Sequence, residues 1–282
     1  GRDAAFRLAN RFITLISTVT LIVMLLCMLF AGPLTSLFVP GFEGETARLC
    51  AELMRMLFPT MLFTAVAFSF VGILQSLDEF NIPAALSVVS NGVVILYYLF
   101  FNNTFGVYGL AAAFLLGWLM QAVVQLPTLH KKGYLYRPDF RFRDESLGKI
   151  GRLMLPVMVG TWIQPINFLV NTRFASNLAA GSVTNGELGV ATLEYANNVY
   201  TIVVGVFVLA IANMVFPKFS RMTEDRAQFG REVRVTLKSM LFLLIPMTIG
   251  LMLLAEPVIS VLYQRKAFGH LATELTATAL FF

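Results

Sequence analysis

Charged residues are scarce in this sequence, where Asp, Glu, Lys and Arg together make up only 13% of 282 residues. Soluble globular domains carry about 25% charged residues. Apolar residues account for 57% of the chain, and its mean hydropathy is +0.76. The composition therefore excludes an ordinary soluble domain and predicts a chain whose main solvent is lipid.

The residues that build metal, redox and catalytic sites are also few. The two cysteines and two histidines, Cys27, Cys50, His130 and His270, fit no CxxC or other metal-ligand spacing. The sequence contains no phosphate-binding loop, no nucleophile elbow and no HExxH motif. We therefore expect no metal, no cofactor and no enzymatic activity, and we interpret both cysteines as buried apolar thiols.

Long apolar runs are the dominant feature that is present. A hydrocarbon core of about 30 Å requires roughly 20 apolar residues in a helix that rises about 1.5 Å per residue. Seven segments have this length: 12–32, 56–74, 82–101, 107–129, 153–172, 190–216 and 235–255. An eighth begins at Leu271 and reaches the end of the sequence. The pattern predicts an all-α polytopic membrane protein with about eight transmembrane helices.

Lys and Arg are distributed unevenly between the two sides of this arrangement. The segments before span one and after spans two, four and six hold 15 of the 21 basic residues, and the segments on the other side hold 5. Because basic loops stay on the cytoplasmic side, we predict that the amino-terminal segment and residues 130–152 and 217–234 are cytoplasmic, with 177–189 outside. This topological role explains the net charge of +5 without nucleic acid as a partner.

The sequence also repeats itself weakly at a constant offset of 224 residues. The matching residues are Arg7, Met28, Leu29, Ala31, Pro33 and Ser36 in the first copy and Arg231, Met252, Leu253, Ala255, Pro257 and Ser260 in the second. An even number of spans separates the copies, so both run in the same direction across the membrane. This indicates a parallel repeat of two lobes with a substrate path between them. Chance similarity between two apolar segments is the alternative.

Two spans carry polar side chains, which are costly in lipid unless they face a partner or water. Their spacings of three, four and seven residues place each set on one helical face. Span five has Gln164, Asn167 and Asn171, with Arg173 near its outer end, and span six has Glu194, Asn197, Asn198 and Thr201. We predict that the two sets line a hydrated cavity. Hydrogen bonding between helices is the alternative.

Five further polar positions allow two interpretations each. Arg55, at the outer end of span two, is a candidate cavity residue or an interfacial residue that pairs with Glu52. Gln121 and Gln125, one turn apart on span four, bond a neighbouring helix or line the cavity. Arg173 and Glu194 are each other's nearest opposite charge in spans five and six, so we predict that they pair. Independent contact of both with the membrane interface is the alternative.

Several separated motifs resemble the MurJ/MviN family of lipid II flippases. The densest part of the resemblance lies in residues 160–167, 170–176, 194–198, 205–207 and 216–221. Further matching positions are 57–59, 72–76, 80, 83–84, 117–118, 121, 125–127 and 133–138. The motifs occur in the family's order and cover essentially the whole chain.

The resemblance implies a fourteen-helix fold of two six-helix lobes and a two-helix tail, of which this chain is a fragment. Residues 1–129 would belong to the amino-terminal lobe, 130–152 to a cytoplasmic linker and 153–282 to the second lobe. The implied activity is movement of lipid II, an undecaprenyl-pyrophosphate-linked cell-wall precursor, to the outer leaflet of a bacterial plasma membrane by alternating access. Membrane lipids are implied partners, and a coupling cation is left open.

The sequence departs from the family at one place. Many members carry an Asp-Arg pair and a nearby Glu where this chain has Asn197, Asn198 and Thr201. Either the anion site lies in the family's first helix, with both asparagines bonding sugar or peptide, or the substrate differs. The rival functions are export of another lipid-linked polysaccharide or of drugs, and a non-transporting membrane scaffold for cell-wall synthesis.

Overall fold

The computed structural model of the chain describes residues 2–142, 144–177, 186–205, 207, 211, 215, 226–265 and 268–281. These residues form helices and contain no β-strand. The helices are α1 (Arg2–Leu29), α2 (Ala31–Phe38), α3 (Gly44–Leu57), α4 (Thr60–Ser76), α5 (Asn81–Phe100), α6 (Asn102–Lys131), α7 (Glu145–Asn177), α8 (Gly186–Val204), α9 (Arg226–Leu253), α10 (Ala255–Tyr263) and α11 (His270–Phe281).

Six stretches of the described residues are long and apolar enough to cross a membrane. They are Ala4–Leu29, Gly44–Ser76, Asn81–Phe100, Asn102–Lys131, Glu145–Asn177 and Gln228–Leu253. The predicted all-α membrane fold is confirmed. The predicted span 190–216 begins in α8, and part of it lies outside the described residues. Residues 178–185 of the predicted loop 177–189 and residues 217–225 of the predicted loop 217–234 also lie outside them.

The long helices of the two copies of the sequence repeat end at matching positions. Helix α1 ends at Leu29 and α9 ends at Leu253, and each is followed, after a break of one residue, by a short second helix. The break residues are Phe30, with φ −96° and ψ 19°, and Leu254, with φ −103° and ψ 12°. They lie 224 positions apart in the sequence. The sequence repeat is therefore present in the backbone of both copies, and the parallel direction of the two copies remains a prediction.

Proline accounts for the position of both breaks. Pro33 and Pro257 are the third residues of α2 and α10. A proline has no N–H to donate, and its ring crowds the carbonyl four residues earlier, which belongs to Leu29 in one copy and Leu253 in the other. The long helix ends at that residue in each copy.

The chain divides into two compact units, residues 1–169 and residues 170–282, and the division falls within α7. The predicted boundaries at 129 and 152 remain a prediction. In the first unit, α6 packs against α5 and α4, and α4 packs against α1. The core of this unit is a cluster of five buried side chains: Ile13, Phe70, Leu74, Leu129 and Tyr134.

In the second unit, α11 packs against both α8 and α10. Val199 of α8, Ala255 and Ile259 of α10, and Ala277 of α11 form its buried core. Tyr263 and Phe268 pack against this core, and the ring centroid of Tyr195 on α8 lies 4.8 Å from that of Tyr263 and 5.1 Å from that of Phe268. One face of α8 is thereby fixed against its neighbours.

Candidate functional site

The polar residues of α8 lie on the side of the helix that faces away from its packed neighbours. Thr192, Ala196 and Val199 are buried, which is the spacing of one helical face. Three of the predicted cavity residues, Glu194, Asn198 and Thr201, are exposed, and the fourth, Asn197, is half-buried. Within its unit this polar face therefore does not bond the packing partner of α8.

The three predicted residues of span five lie on α7. Gln164, Asn167 and Asn171 are all exposed, and they share this exposure with the apolar side chains around them, such as Ile163. Gln164 and Asn167 belong to the first unit and Asn171 to the second. Their assignment to a shared cavity with the α8 residues remains a prediction.

The end of α7 and the start of α8 approach closely in the second unit. A Cβ added to Gly189 would lie 2.8 Å from the carbonyl oxygen of Ala175, so a side chain larger than hydrogen has no room there. Ala175 and Ser176 are buried. Arg173 and Glu194 lie two residues before and five residues after this contact, and both are exposed. The approach brings their helices together, and the pairing of the two side chains remains a prediction.

A second polar cluster lies along α3. Glu52 accepts a hydrogen bond of 2.9 Å from Nε of Arg48 and one of 2.6 Å from the hydroxyl of Tyr108 on α6. These two bonds hold the Glu52 carboxylate with Arg48 and Tyr108, and the interpretation of Arg55 as an interfacial partner of Glu52 remains a prediction. Arg55 is exposed and donates from Nε to the carbonyl oxygen of Met28 at 3.4 Å.

Gln125 of α6 forms hydrogen bonds within the helix packing. Gln125 is 0% exposed, and its Nε2 donates to the carbonyl oxygens of Ala67 on α4 at 3.1 Å and Gln121 at 2.9 Å. Gln121 is also buried. Of the two interpretations made from the sequence, the structure favours hydrogen bonding between helices. Oε1 of Gln125 has no hydrogen-bond partner among the described residues.

Sequence reasoning missed the polar contacts that hold the segment after α6 against α1. Nε of Arg11 donates to Oδ2 of Asp139 at 2.8 Å, and its Nη1 donates to Asp144. The hydroxyl of Tyr134 donates to Oδ1 of Asn10 at 2.6 Å. We call residues 133–142 and 144 the linker segment. The signal that could have revealed these contacts is the set of polar residues at positions 10, 11 and 14, at the start of the apolar run of α1.

These contacts shift the titration of the linker groups. The pKa of Asp139 is lowered chiefly by the hydrogen bond from Arg11 and next by the backbone N–H of Arg141. The pKa of Asp144 is lowered mainly by the backbone N–H of Ser146, with a further contribution from Arg11. Burial raises the pKa of the Tyr134 hydroxyl, which therefore stays protonated as a donor. At neutral pH the linker segment presents two carboxylates to one guanidinium.

The described residues contain no group of three or more His, Cys, Asp or Glu side chains that could hold a metal ion. The exposed polar side chains of α7 and α8 can act through hydrogen bonds and charge. Amide side chains both donate and accept hydrogen bonds, which suits sugar and peptide groups, and a guanidinium suits phosphate.

Comparison with known proteins gives consistent results. A family model described as "Lipid II flippase MurJ" matches residues 1–282. The chain is 33% identical to a "Probable lipid II flippase MurJ" of Vibrio cholerae, over 95% of this chain and 51% of that protein. It is 28% identical to a protein of the same description from Thermotoga maritima, over 100% of this chain and 55% of that protein. The chain thus spans about half the length of these relatives.

A solved structure described as "Lipid II flippase MurJ, inward closed conformation" has the same fold. The TM-score is 0.79 at 23% sequence identity, over 99% of this chain and 57% of the solved chain. This likeness agrees with the helical architecture described above.

Proposed function

Because this chain belongs to the MurJ family of lipid II flippases, we propose that it is part of a flippase that carries lipid II from the inner to the outer leaflet of a bacterial plasma membrane. The observation that carries the proposal is the match of the family model to all 282 residues. The six apolar stretches agree with a membrane location. Transport would proceed by alternating access and without chemistry on the substrate.

In this proposal the exposed polar faces of α7 and α8 contact the hydrophilic part of the substrate. Asn167, Asn197 and Asn198 would exchange hydrogen bonds with sugar and peptide groups, because each amide both donates and accepts. Arg173 would hold phosphate when the cavity is open to the outside, and Glu194 would compete for the guanidinium afterward. The orientation of the α8 polar face away from its packed core supports this assignment.

The experiment uses the full-length protein in cells depleted of their own flippase. The wild-type protein should restore growth, and it should expose lipid II to an externally added enzyme that cleaves the pyrophosphate of the precursor. Asn167→Leu and Asn198→Leu should each reduce this cleavage severalfold while folded yield stays near wild type. The matched control is Asn91→Leu, because Asn91 is also an exposed mid-span asparagine but lies on α5, outside the proposed site.

The outcomes separate the proposal from its rivals. A wild-type protein that restores neither growth nor cleavage would argue for another exported substrate or for a scaffold. If all three asparagine variants showed the same cleavage of lipid II, the assignment of substrate contact to α7 and α8 would be wrong. A large loss of thermal stability with transport intact would support the hydrogen-bonding alternative for these residues.

A further inference from the structure

The linker segment has two different faces. Its inner face packs against α1. Tyr134 is buried, the hydroxyl of Tyr136 lies 3.0 Å from Oγ1 of Thr14, and Asp139 accepts a hydrogen bond from Arg11. Its outer face exposes apolar side chains, with Leu135 53%, Phe140 66% and Phe142 37% exposed. The rings of Phe140 and Phe142 meet edge to face with centroids 6.0 Å apart. The outer face is therefore a fixed apolar surface, because the inner contacts hold its backbone.

The contacts with α1 set the depth of this surface in the membrane. Helix α1 has 28 residues and is about 42 Å long, which exceeds a hydrocarbon core of about 30 Å. Three of its polar residues, Asn10, Arg11 and Thr14, lie in its first half, and its last residues, 21–29, are all apolar. The linker segment contacts these polar residues. It therefore lies beside the part of α1 that extends from the hydrocarbon core into the headgroup layer.

The exposed charges on this surface are positive. Arg137 and Arg141 are exposed, and neither lies in an ion pair within the described part of the chain. The two acidic residues of the segment, Asp139 and Asp144, are bonded to Arg11 on the inner side. The outer face thus combines aromatic rings and free guanidinium groups, which is the composition of segments that bind an anionic membrane surface.

We propose that the outer face of residues 135–142 binds anionic phospholipid headgroups. These headgroups belong to the leaflet on the side of the membrane where α6 ends and α7 begins. Phe140 and Phe142 lie among the headgroups and the first acyl carbons, and Arg137 and Arg141 bond lipid phosphates. The charge of the two guanidinium groups commits the surface to anionic lipid, because each cation near such a leaflet favours contact by about fivefold. A zwitterionic leaflet lacks this attraction.

The test places a fluorophore on the surface in the full-length protein. With Cys27 and Cys50 changed to Ser, Phe140→Cys is labelled, and the protein is reconstituted into vesicles of phosphatidylcholine, alone or with one quarter phosphatidylglycerol. Lipids with a quencher near the headgroup report contact. Quenching at position 140 should rise when phosphatidylglycerol is present and fall again at high salt. A label at Glu145→Cys should change little, because that side chain is 86% exposed and lies on α7 beyond the surface.

Two variants of equal charge change decide the role of the arginines. Arg137→Glu with Arg141→Glu should abolish the effect of phosphatidylglycerol, since removal of two cations costs about thirtyfold in contact. Lys149→Glu with Arg152→Glu, on the first turns of α7, should keep it. Equal losses in both variants would indicate general attraction of a basic protein and overturn the proposal. Equal quenching in both vesicle types would also overturn it, as would protection of position 140 only in native membranes, which would assign the surface to a protein partner.

Discussion

Arg11 and Asp139 form an ion pair 128 positions apart in the chain, with Nε 2.8 Å from Oδ2. Both side chains are only about one fifth to one quarter exposed. Asp144 binds the same guanidinium, so one residue of α1 holds both the middle and the end of the linker segment. The segment is therefore attached to the first unit by α1 and does not connect freely from α6 to α7.

Removal of Arg11 should release the linker segment. In Arg11→Gln the two carboxylates lose their shared cation and repel each other, while Tyr134 keeps its bond to Asn10. We expect a fluorophore at Leu135→Cys, with Cys27 and Cys50 changed to Ser, to become severalfold more mobile in anisotropy decay. Arg7→Gln is the matched control, because Arg7 is an exposed arginine one turn earlier on α1. Equal mobility in both variants would contradict the assigned role of Arg11.

The same ion pairs predict a response to acid. Asp139 and Asp144 have lowered pKa values in the folded protein, so their contribution is present above the ordinary aspartate pKa of about 3.9 and is lost as pH falls through their lower folded values. The anisotropy at position 135 should stay constant from neutral pH down to about pH 4 and then fall. Asp139→Asn with Asp144→Asn should give the mobile state at every pH. A transition near neutral pH would assign the response to other groups.

Gln125 should tolerate an apolar residue better than an acid. Its Oε1 has no partner among the described residues, and its Nε2 donates to the backbone carbonyl oxygens of two residues that lie within helices. Gln125→Met should therefore change the free energy of unfolding by less than about 1 kcal/mol. Gln125→Glu buries a charge and should cost about 2 to 4 kcal/mol at neutral pH. Thermal unfolding in detergent measures both, and a greater loss for the methionine variant would show that the amide bonds dominate.

Gly109 should not tolerate a methyl group. An added Cβ would lie 2.5 Å from Cβ of Phe105 and 2.5 Å from the hydroxyl of Tyr97, which itself donates to the carbonyl oxygen of Gly106. Gly109→Ala should destabilise the protein by about 1 to 3 kcal/mol in thermal unfolding. Gly92→Ala on α5 is the control, because nothing lies within 4 Å of its added Cβ. That variant should be neutral or slightly stabilising.

Arg173 and Glu194 should act as a pair in transport. The close approach of Gly189 and Ala175 brings their helices together, and an isolated charge at that depth would be costly. We expect a double-mutant cycle of Arg173→Gln and Glu194→Gln, measured on the rate of lipid II exposure, to give a clear coupling. Coupling near zero, with both single variants close to wild type, would remove the two residues from the mechanism.

The sequence predicted features whose cause is local. The length of an apolar run such as that of α1 was sufficient to predict a membrane-spanning helix. Pro33 and Pro257, 224 positions apart, were sufficient to predict the repeat, because a proline disrupts the helix within a few residues of itself. The stripe on α8 was also predictable, since its spacing places Glu194, Asn198 and Thr201 on one face.

The contacts between distant segments could not be predicted in the same way. Arg11 appears in the sequence as one more basic residue before an apolar run, and nothing in its neighbourhood names Asp139 as its partner. Glu52 was matched to Arg55 because they are close in the chain, whereas Tyr108 binds it through the packing of α3 against α6. Such pairs depend on which helices pack together. The spacing of polar residues along one helix carries no information about its packing partner.

The paired breaks at Phe30 and Leu254 give this protein an internal comparison. The backbone turns through nearly the same angles at both places, yet the residue five positions later is Thr35 in one copy and Ile259 in the other, and both are buried. Replacing Pro33 and Pro257 by alanine, one at a time, therefore applies the same chemical change to the same bend in two surroundings. Any difference between the two outcomes belongs to the surroundings, because the bend itself is held constant.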